Sequence, residues 1–141
     1  MDRATGMTRE DLERFLAEDF PQVAGDFAIE AMGERSMTVR LKSSDRHLRP
    51  GGTVSGPALF ALADVAVYLA ILAEIGPKAL AVTTNCSIDF MRKPAAGRHV
   101  IAEVKLLKLG RQLAVGDVLL YSDGKGEPVA RATLTYSIPP N

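Results

Sequence analysis

A single cysteine, Cys86, and two histidines are all that the 141 residues offer of the usual soft metal ligands. Cys86 has no second thiol for an internal disulfide, and without a Cys-x-x-Cys pair or a His-rich tract nothing points to zinc. Charge of one sign is missing too. The 17 basic and 17 acidic side chains cancel and form no block of like charge, so the electrostatic footprint of a nucleic-acid or anionic-membrane binder is absent. The amino terminus, MDRATGMTREDLERFLAEDF, is charged throughout and lacks the basic-then-apolar order of a secretory signal. No internal repeat or low-complexity tract interrupts the chain. The expectation is a cytoplasmic protein without metal or bound cofactor, folded as one domain over residues 1–141, with a small molecule as partner.

What is present is one long apolar run, Pro57 to Ala73, with a lone carboxylate, Asp64, near its middle. The run approaches membrane-spanning length, but the central acid and the polar, strand-like flanks favour a buried core helix. An unpaired buried charge is expensive, so such a group is paired, neutralised, or kept because chemistry needs it. The plainer alternative is that Asp64 faces a polar interface or bonds a neighbouring hydroxyl.

Around this run the pattern assigns the other elements. Thr8-Arg9-Glu10-Asp11 reads as a capping box opening an N-terminal helix within residues 1–20, with Leu12, Phe15 and Leu16 as its apolar stripe. Asp26 to Met32 and Ser36 to Lys42 read as a hairpin turning at Gly33-Glu34. The long polar loop Ser43 to Val54 leads to the central helix over residues 56–74, with Ser55 as N-cap, Pro57 in the first turn and Gly76-Pro77 as its stop. Alanine, leucine and valine on all sides of that helix predict that other structure wraps it. Four strands follow, Leu80 to Met91, Val100 to Leu109, Gln112 to Tyr121 and Pro128 to Ile138, the tight Gly110-Arg111 turn marking an antiparallel hairpin. The sum is an α+β fold, an antiparallel sheet of about six strands wrapped around one long helix.

A helix N-terminus presents unpaired N–H groups, and glycine at its start lets a carbonyl oxygen approach closely; Gly56 is thus an oxyanion hole in outline. Asp64 lies eight positions further on, about 12 Å along the axis. If both groups act on one carbonyl, two subunits must pair, one giving Gly56 and the other Asp64.

The stretch His47-Leu48-Arg49-Pro50-Gly51-Gly52-Thr53-Val54-Ser55-Gly56, followed by Leu62-Ala63-Asp64, resembles the signature HxNxxGxxHGG then LxD of hotdog-fold acyl-CoA thioesterases of the PaaI and thioesterase superfamily member 2 group. The resemblance extends over roughly residues 25 to 138, including Thr83 to Arg92 and the Lys108-Leu109-Gly110-Arg111 turn. It implies the hotdog fold and hydrolysis of an acyl-CoA substrate, in a homodimer or a homotetramer. Asp64 would be the general base or nucleophile, Gly56 of the other subunit the oxyanion donor, and Thr83 the hydroxyl that helps hold the attacking water. It also implies basic residues on the CoA phosphates, with Arg92, Lys93 and Arg111 as candidates beside their ordinary reading as solvated turn residues.

The match has departures. Arg49 stands at the family's asparagine, Ser55 at its second histidine and Pro57 at its last glycine. Ser55 keeps a helix cap without the imidazole. Arg49 can donate to a carbonyl, hold a carboxylate on the acyl part, or pair with Asp64 or another acid. His47 fits the first histidine or simply holds a turn, while His99 has no evident partner. Cys86, mid-strand, reads as an inert buried thiol, and no nucleophile elbow accompanies the serines. Phe60, Tyr68 and Met91 are candidates for setting pocket depth. The rival function is a non-catalytic protein binding acyl-CoA or a small apolar carboxylate; a hotdog dehydratase is disfavoured, because no helix or loop aspartate is followed closely by a histidine.

Overall fold

The computed structural model describes residues 6–77 and 81–140. Helix α1 (Arg9–Asp19) opens on Thr8, whose hydroxyl accepts from the Asp11 N–H at 3.1 Å while the Asp11 carboxylate accepts from the Thr8 N–H at 3.0 Å. The expected capping box is therefore formed. Leu12 and Leu16 are buried, and the Phe15 ring lies 6.2 Å from that of Tyr68, which seats α1 on the second helix.

Strands β1 (Phe27–Gly33) and β2 (Ser36–Leu41) precede helix α2 (Gly56–Ile75), and β3 (Val82–Phe90), β4 (Val100–Leu109), β5 (Leu113–Ser122) and β6 (Pro128–Ser137) follow it. The alternation read from the sequence locates every strand to within two residues; the expected start at Leu80 lies outside the described residues, as do residues 1–5 of the N-terminal segment. One boundary differs in kind. The β1–β2 turn falls on Glu34 and Arg35, the latter left-handed at φ 53°, and its N–H donates to Glu74 Oε2 at 2.9 Å.

All six strands form one antiparallel sheet in the order β1-β2-β4-β5-β6-β3. Strands β2 to β6 all reach α2, which gives the hotdog arrangement of a sheet around a central helix. Every second residue points inward, so Val39, Ala102, Ala114, Val118 and Leu134 are buried against the helix. Small inward residues let the helix sit close. At Gly116 an added Cβ would stand 2.9 Å from Val67 Cγ1, so a side chain there would force Val67, or the helix that carries it, to shift. Although α2 is long and apolar enough to cross a membrane, 67% of its most apolar window is buried within the fold, which marks it as a core helix.

The edges of the sheet are β1 and β3. Strand β3 pairs only with β6, and Val82 and Phe90 near its two ends are each 55% exposed.

Candidate active site

Asp64 lies half-buried midway along α2. Thr83 Oγ1 donates to its Oδ1 at 2.5 Å, and the Tyr136 hydroxyl donates to the same oxygen at 2.6 Å while standing 3.0 Å from the Asp64 carbonyl oxygen. Oδ2 receives no hydrogen bond from any described residue. The hydroxyl partner foreseen for Asp64 is therefore present twice over, yet it engages only one oxygen and leaves the other with a free lone pair. Burial and the Asp64 charge push the Tyr136 hydroxyl well above its ordinary pKa, which keeps its proton available for donation. Thr83 has one hydrogen, committed to Asp64, so a water at this site can only donate to it.

A cavity of about 460 Å³ opens onto Asp64, walled by Val65 and Tyr68 of α2, Val82 of β3, and Leu16 and Phe20 at the end of α1. Tyr68 stacks on Tyr136 with ring centres 5.9 Å apart, and Phe20 meets it edge-on at 5.8 Å. Burial raises the Tyr68 hydroxyl to about 12. Among the described residues Asp64 is the only carboxylate lining this cavity, so the acid faces a largely apolar space.

The other end of α2 is built differently. Ser55 caps it, its Oγ accepting from the Ala58 N–H at 3.3 Å, and Pro57 has no N–H to give. Gly56 thus carries the only first-turn N–H left without an acceptor among the described residues. The loop ahead of it is pinned by Asp26, which is buried and ion-pairs with Arg46. His47 Nδ1 accepts from the Ser44 N–H at 2.9 Å, which places the proton on Nε2, 3.5 Å from Asp26 Oδ2; its carbonyl takes the Ser55 N–H at 2.8 Å. Of the two roles open to His47, the structure shows the turn-holding one.

A groove of about 520 Å³ runs past Gly56, lined by Arg49, Thr53, Phe90, Met91, Arg92 and Lys93 among others. The Phe90 ring lies over Gly56: a Cβ there would stand 3.4 Å from Phe90 Cζ, ordinary contact distance. The Thr53 hydroxyl is buried with no partner among the described residues, a state that costs roughly 1–3 kcal/mol when unrelieved.

Of the residues singled out from the sequence, Asp64 and Thr83 meet in the cavity, while Gly56, Arg49, Arg92 and Lys93 share the groove. Arg49 is exposed and forms no ion pair among the described residues, and within one chain it does not meet Asp64, since the two line different hollows. The Ser55 hydroxyl serves the cap. Arg92 donates to the Pro128 carbonyl at 2.8 Å and pairs with Glu127 at 3.3 Å. Arg111 is exposed in the β4–β5 turn and lines neither hollow. Tyr68 and Met91 line the cavity and the groove respectively, whereas Phe60 lines neither. His99 gains a partner in Arg40, 3.3 Å from its Nδ1. Cys86 is half-buried rather than buried as expected, and partial burial with Asp64 nearby raises its thiol, as suits an inert one. Among the described residues no three His, Cys, Asp or Glu side chains gather as a metal site.

The sequence reading missed Tyr136, Thr53 and the α1 wall of the cavity. For Tyr136 a signal existed: it is an inward position of a strand, occupied by an aromatic that carries a hydroxyl needing a partner.

The family model of the thioesterase superfamily matches residues 51–129. A crystal structure assigned as a thioesterase from a Silicibacter species is 56% identical, covering 99% of this chain and 96% of that one with a TM-score of 0.90. The phenylacetic acid degradation protein PaaI of Thermus thermophilus is 31% identical over 84% of this chain and 99% of its own, with a TM-score of 0.71. A Pseudomonas aeruginosa protein assigned as an esterase is 28% identical, covering 89% of this chain and 92% of that one.

Proposed function

The chain belongs to the thioesterase superfamily, and from thioester hydrolysis as its general chemistry we propose that it cleaves acyl-CoA thioesters to free acid and CoA at a site completed by two copies of the chain. The observation that carries this reading is the division of labour within Asp64: two hydroxyls fix Oδ1, no described residue donates to Oδ2, and the residue itself lines an apolar cavity. A carboxylate oriented in this way suits a general base. Water oxygen attacks the carbonyl carbon as Asp64 Oδ2 takes its proton. The tetrahedral oxyanion accepts from the Gly56 N–H of a second copy, and collapse breaks the C–S bond, the departing sulfur taking up a proton as CoA leaves.

The pairing of copies is supported by the position of β3. Its Thr83 end touches Asp64 and its Phe90 end touches Gly56. The eight steps from Val82 to Phe90 place the two ends about 27 Å apart. An exposed edge strand laid antiparallel against its own copy sets the Phe90 end of one beside the Val82 end of the other. That single pairing brings one copy's groove to the other copy's acid twice over. Arg49, Arg92 and Lys93 then flank the exit from Gly56, where the CoA phosphates would run, with the acyl part in the Asp64 cavity. We assign the protein to the cytoplasm as a homodimer or a dimer of such dimers.

A thiol-release assay with acetyl-, octanoyl-, palmitoyl- and benzoyl-CoA tests this. Asp64→Asn is expected to lower kcat about 10³-fold with the melting temperature and assembly state kept. Turnover unchanged by that substitution would remove the mechanism. Saturable binding without hydrolysis by the unaltered protein would instead establish the non-catalytic reading, which the changes at Arg49, Ser55 and Pro57 favour.

A further inference from the structure

We propose that Thr53 is the second oxyanion donor, its buried and unpartnered hydroxyl binding the thioester carbonyl oxygen beside the Gly56 N–H. The inference rests on the hydrolytic reading above and adds a residue that neither the motif nor the family match assigns.

The argument begins with a shortage of donors. An oxyanion site gains most from preorganised groups converging on the developing charge. Here Ser55 engages the Ala58 N–H and Pro57 has none, so the helix contributes Gly56 alone. The asparagine and histidine of the related signature are absent from the sequence, and Arg49 and Ser55 stand in their places. Arg49 is exposed on a long stem with no bond holding its guanidinium among the described residues, which suits a charge further out in the groove better than an oxygen that must be met without reorganisation.

Thr53 has the opposite character. Leu48 and Val54 form a β-bridge, the Arg49 N–H donates to the Thr53 carbonyl at 2.9 Å, and the Gly52 N–H to the Arg49 carbonyl at 3.0 Å. Pro50 and the left-handed Gly51, at φ 102°, fit the tip of a type II turn. The loop is thus a miniature hairpin whose return leg fixes Thr53 three residues before Gly56 and on the same groove. Thr53 is 4% exposed, and its Oγ1 has no acceptor or donor among the described residues. Buried hydroxyls are ordinarily satisfied, so one left unpartnered and covered, in a residue that lines a substrate groove, points to a partner that arrives with the ligand as it parts the side chains over Oγ1. A carbonyl oxygen accepts and never donates, and the Thr53 O–H supplies the matching proton without giving it up.

The test compares Thr53→Val, which is isosteric but lacks the hydroxyl, with Thr53→Ser, which retains it, using octanoyl-CoA and benzoyl-CoA and reading thiol release, assembly state and melting temperature. Thr53→Val is expected to lower kcat about 100-fold, with KM changed by less than about threefold, the dimer intact, and a melting temperature equal to or above that of the unaltered protein, because an orphaned polar group has gone. Thr53→Ser is expected to return to within about fivefold of full activity. A kcat for Thr53→Val within about threefold of the original overturns the proposal, as does a loss accompanied by a lower melting temperature or by dissociation, which would make the hydroxyl structural. Asp64→Asn run alongside separates the two ideas. Loss there with Thr53→Val fully active sinks Thr53 alone, whereas full turnover in Asp64→Asn, or no hydrolysis of any thioester by the unaltered protein, sinks the hydrolytic reading and this one with it.

Discussion

On the proposed reading, the two ends of β3 serve two unlike half-sites. At the Val82 end the acid is complete within one chain: Thr83 and Tyr136 grip Oδ1, aromatic rings close the cavity, and only Oδ2 is left over. At the Phe90 end almost nothing is complete. The Gly56 N–H, the Thr53 hydroxyl and the Arg49 guanidinium all lack partners among the described residues, and Phe90 lies more than half exposed. A carboxylate must be oriented before it can work, and strands β3 and β6 reach it locally. Donors to an oxyanion have no partner until a substrate comes, so unpartnered groups at this end agree with the proposed oxyanion site.

The largest effect tests whether the two ends belong to one site in different copies. Asp64→Asn chains and Gly56→Val chains are each expected to be nearly inactive, the latter because a branched side chain at the helix start crowds a carbonyl oxygen's approach to the N–H. In a mixed dimer one site combines both lesions and the other neither. Random reassortment of equal amounts should then recover about a quarter of full activity. Mixed dimers verified by native mass spectrometry but devoid of turnover would show that Gly56 and Asp64 do not complement across copies.

Why the acid end was easier to foresee follows from what each end asks of sequence. Asp64 announced itself through contrast with its apolar neighbours, Ser55 and Pro57 through helix-start chemistry, and the strands through alternation, all local signals. Tyr136 comes from 72 residues away, and only the sheet order, with β3 crossing to the far side of β6, places it against Asp64. That crossing is not written in any local pattern. Thr53 was hidden for another reason: an unpaired hydroxyl is a property of packing, visible only once every neighbour is known. Arg92, Lys93 and Arg111 looked alike as turn cations, and geometry alone ranks them.

An intermediate effect concerns the grip on Oδ1. Tyr136→Phe removes one of its two donors, and with the base less firmly aimed kcat should fall about tenfold. Hydrogen bonds to a charged acceptor contribute roughly 1.5–3 kcal/mol, so unfolding should need less denaturant. Alkaline pH gives an independent reading. Tyr136 is held well above the ordinary tyrosine value and Tyr68 at about 12, while in the unfolded chain both titrate near 10. Above that pH the unfolded state releases protons that the fold retains, so stability falls as pH rises, and below it this contribution is fully present. Tyr136→Phe should therefore flatten the alkaline limb of a stability–pH curve. An unchanged slope would mean that the Tyr136 hydroxyl is not held in its neutral form by burial against Asp64.

The smallest effect separates the groove's cations. Arg92 is engaged by the Pro128 carbonyl and Glu127, whereas Lys93 forms no ion pair among the described residues. A free ammonium attracts a phosphate through solvent and is screened by salt, so Lys93→Ala should raise KM for an acyl-CoA about threefold at low ionic strength and leave kcat alone. The gap should close as salt is added. Arg92→Ala should change KM less, because its guanidinium already has two partners to leave, and Arg111→Ala should change nothing, since it faces neither hollow. An Arg111 effect equal to that of Lys93 would instead place the CoA phosphates over the β4–β5 turn and route the substrate away from the groove beside Gly56.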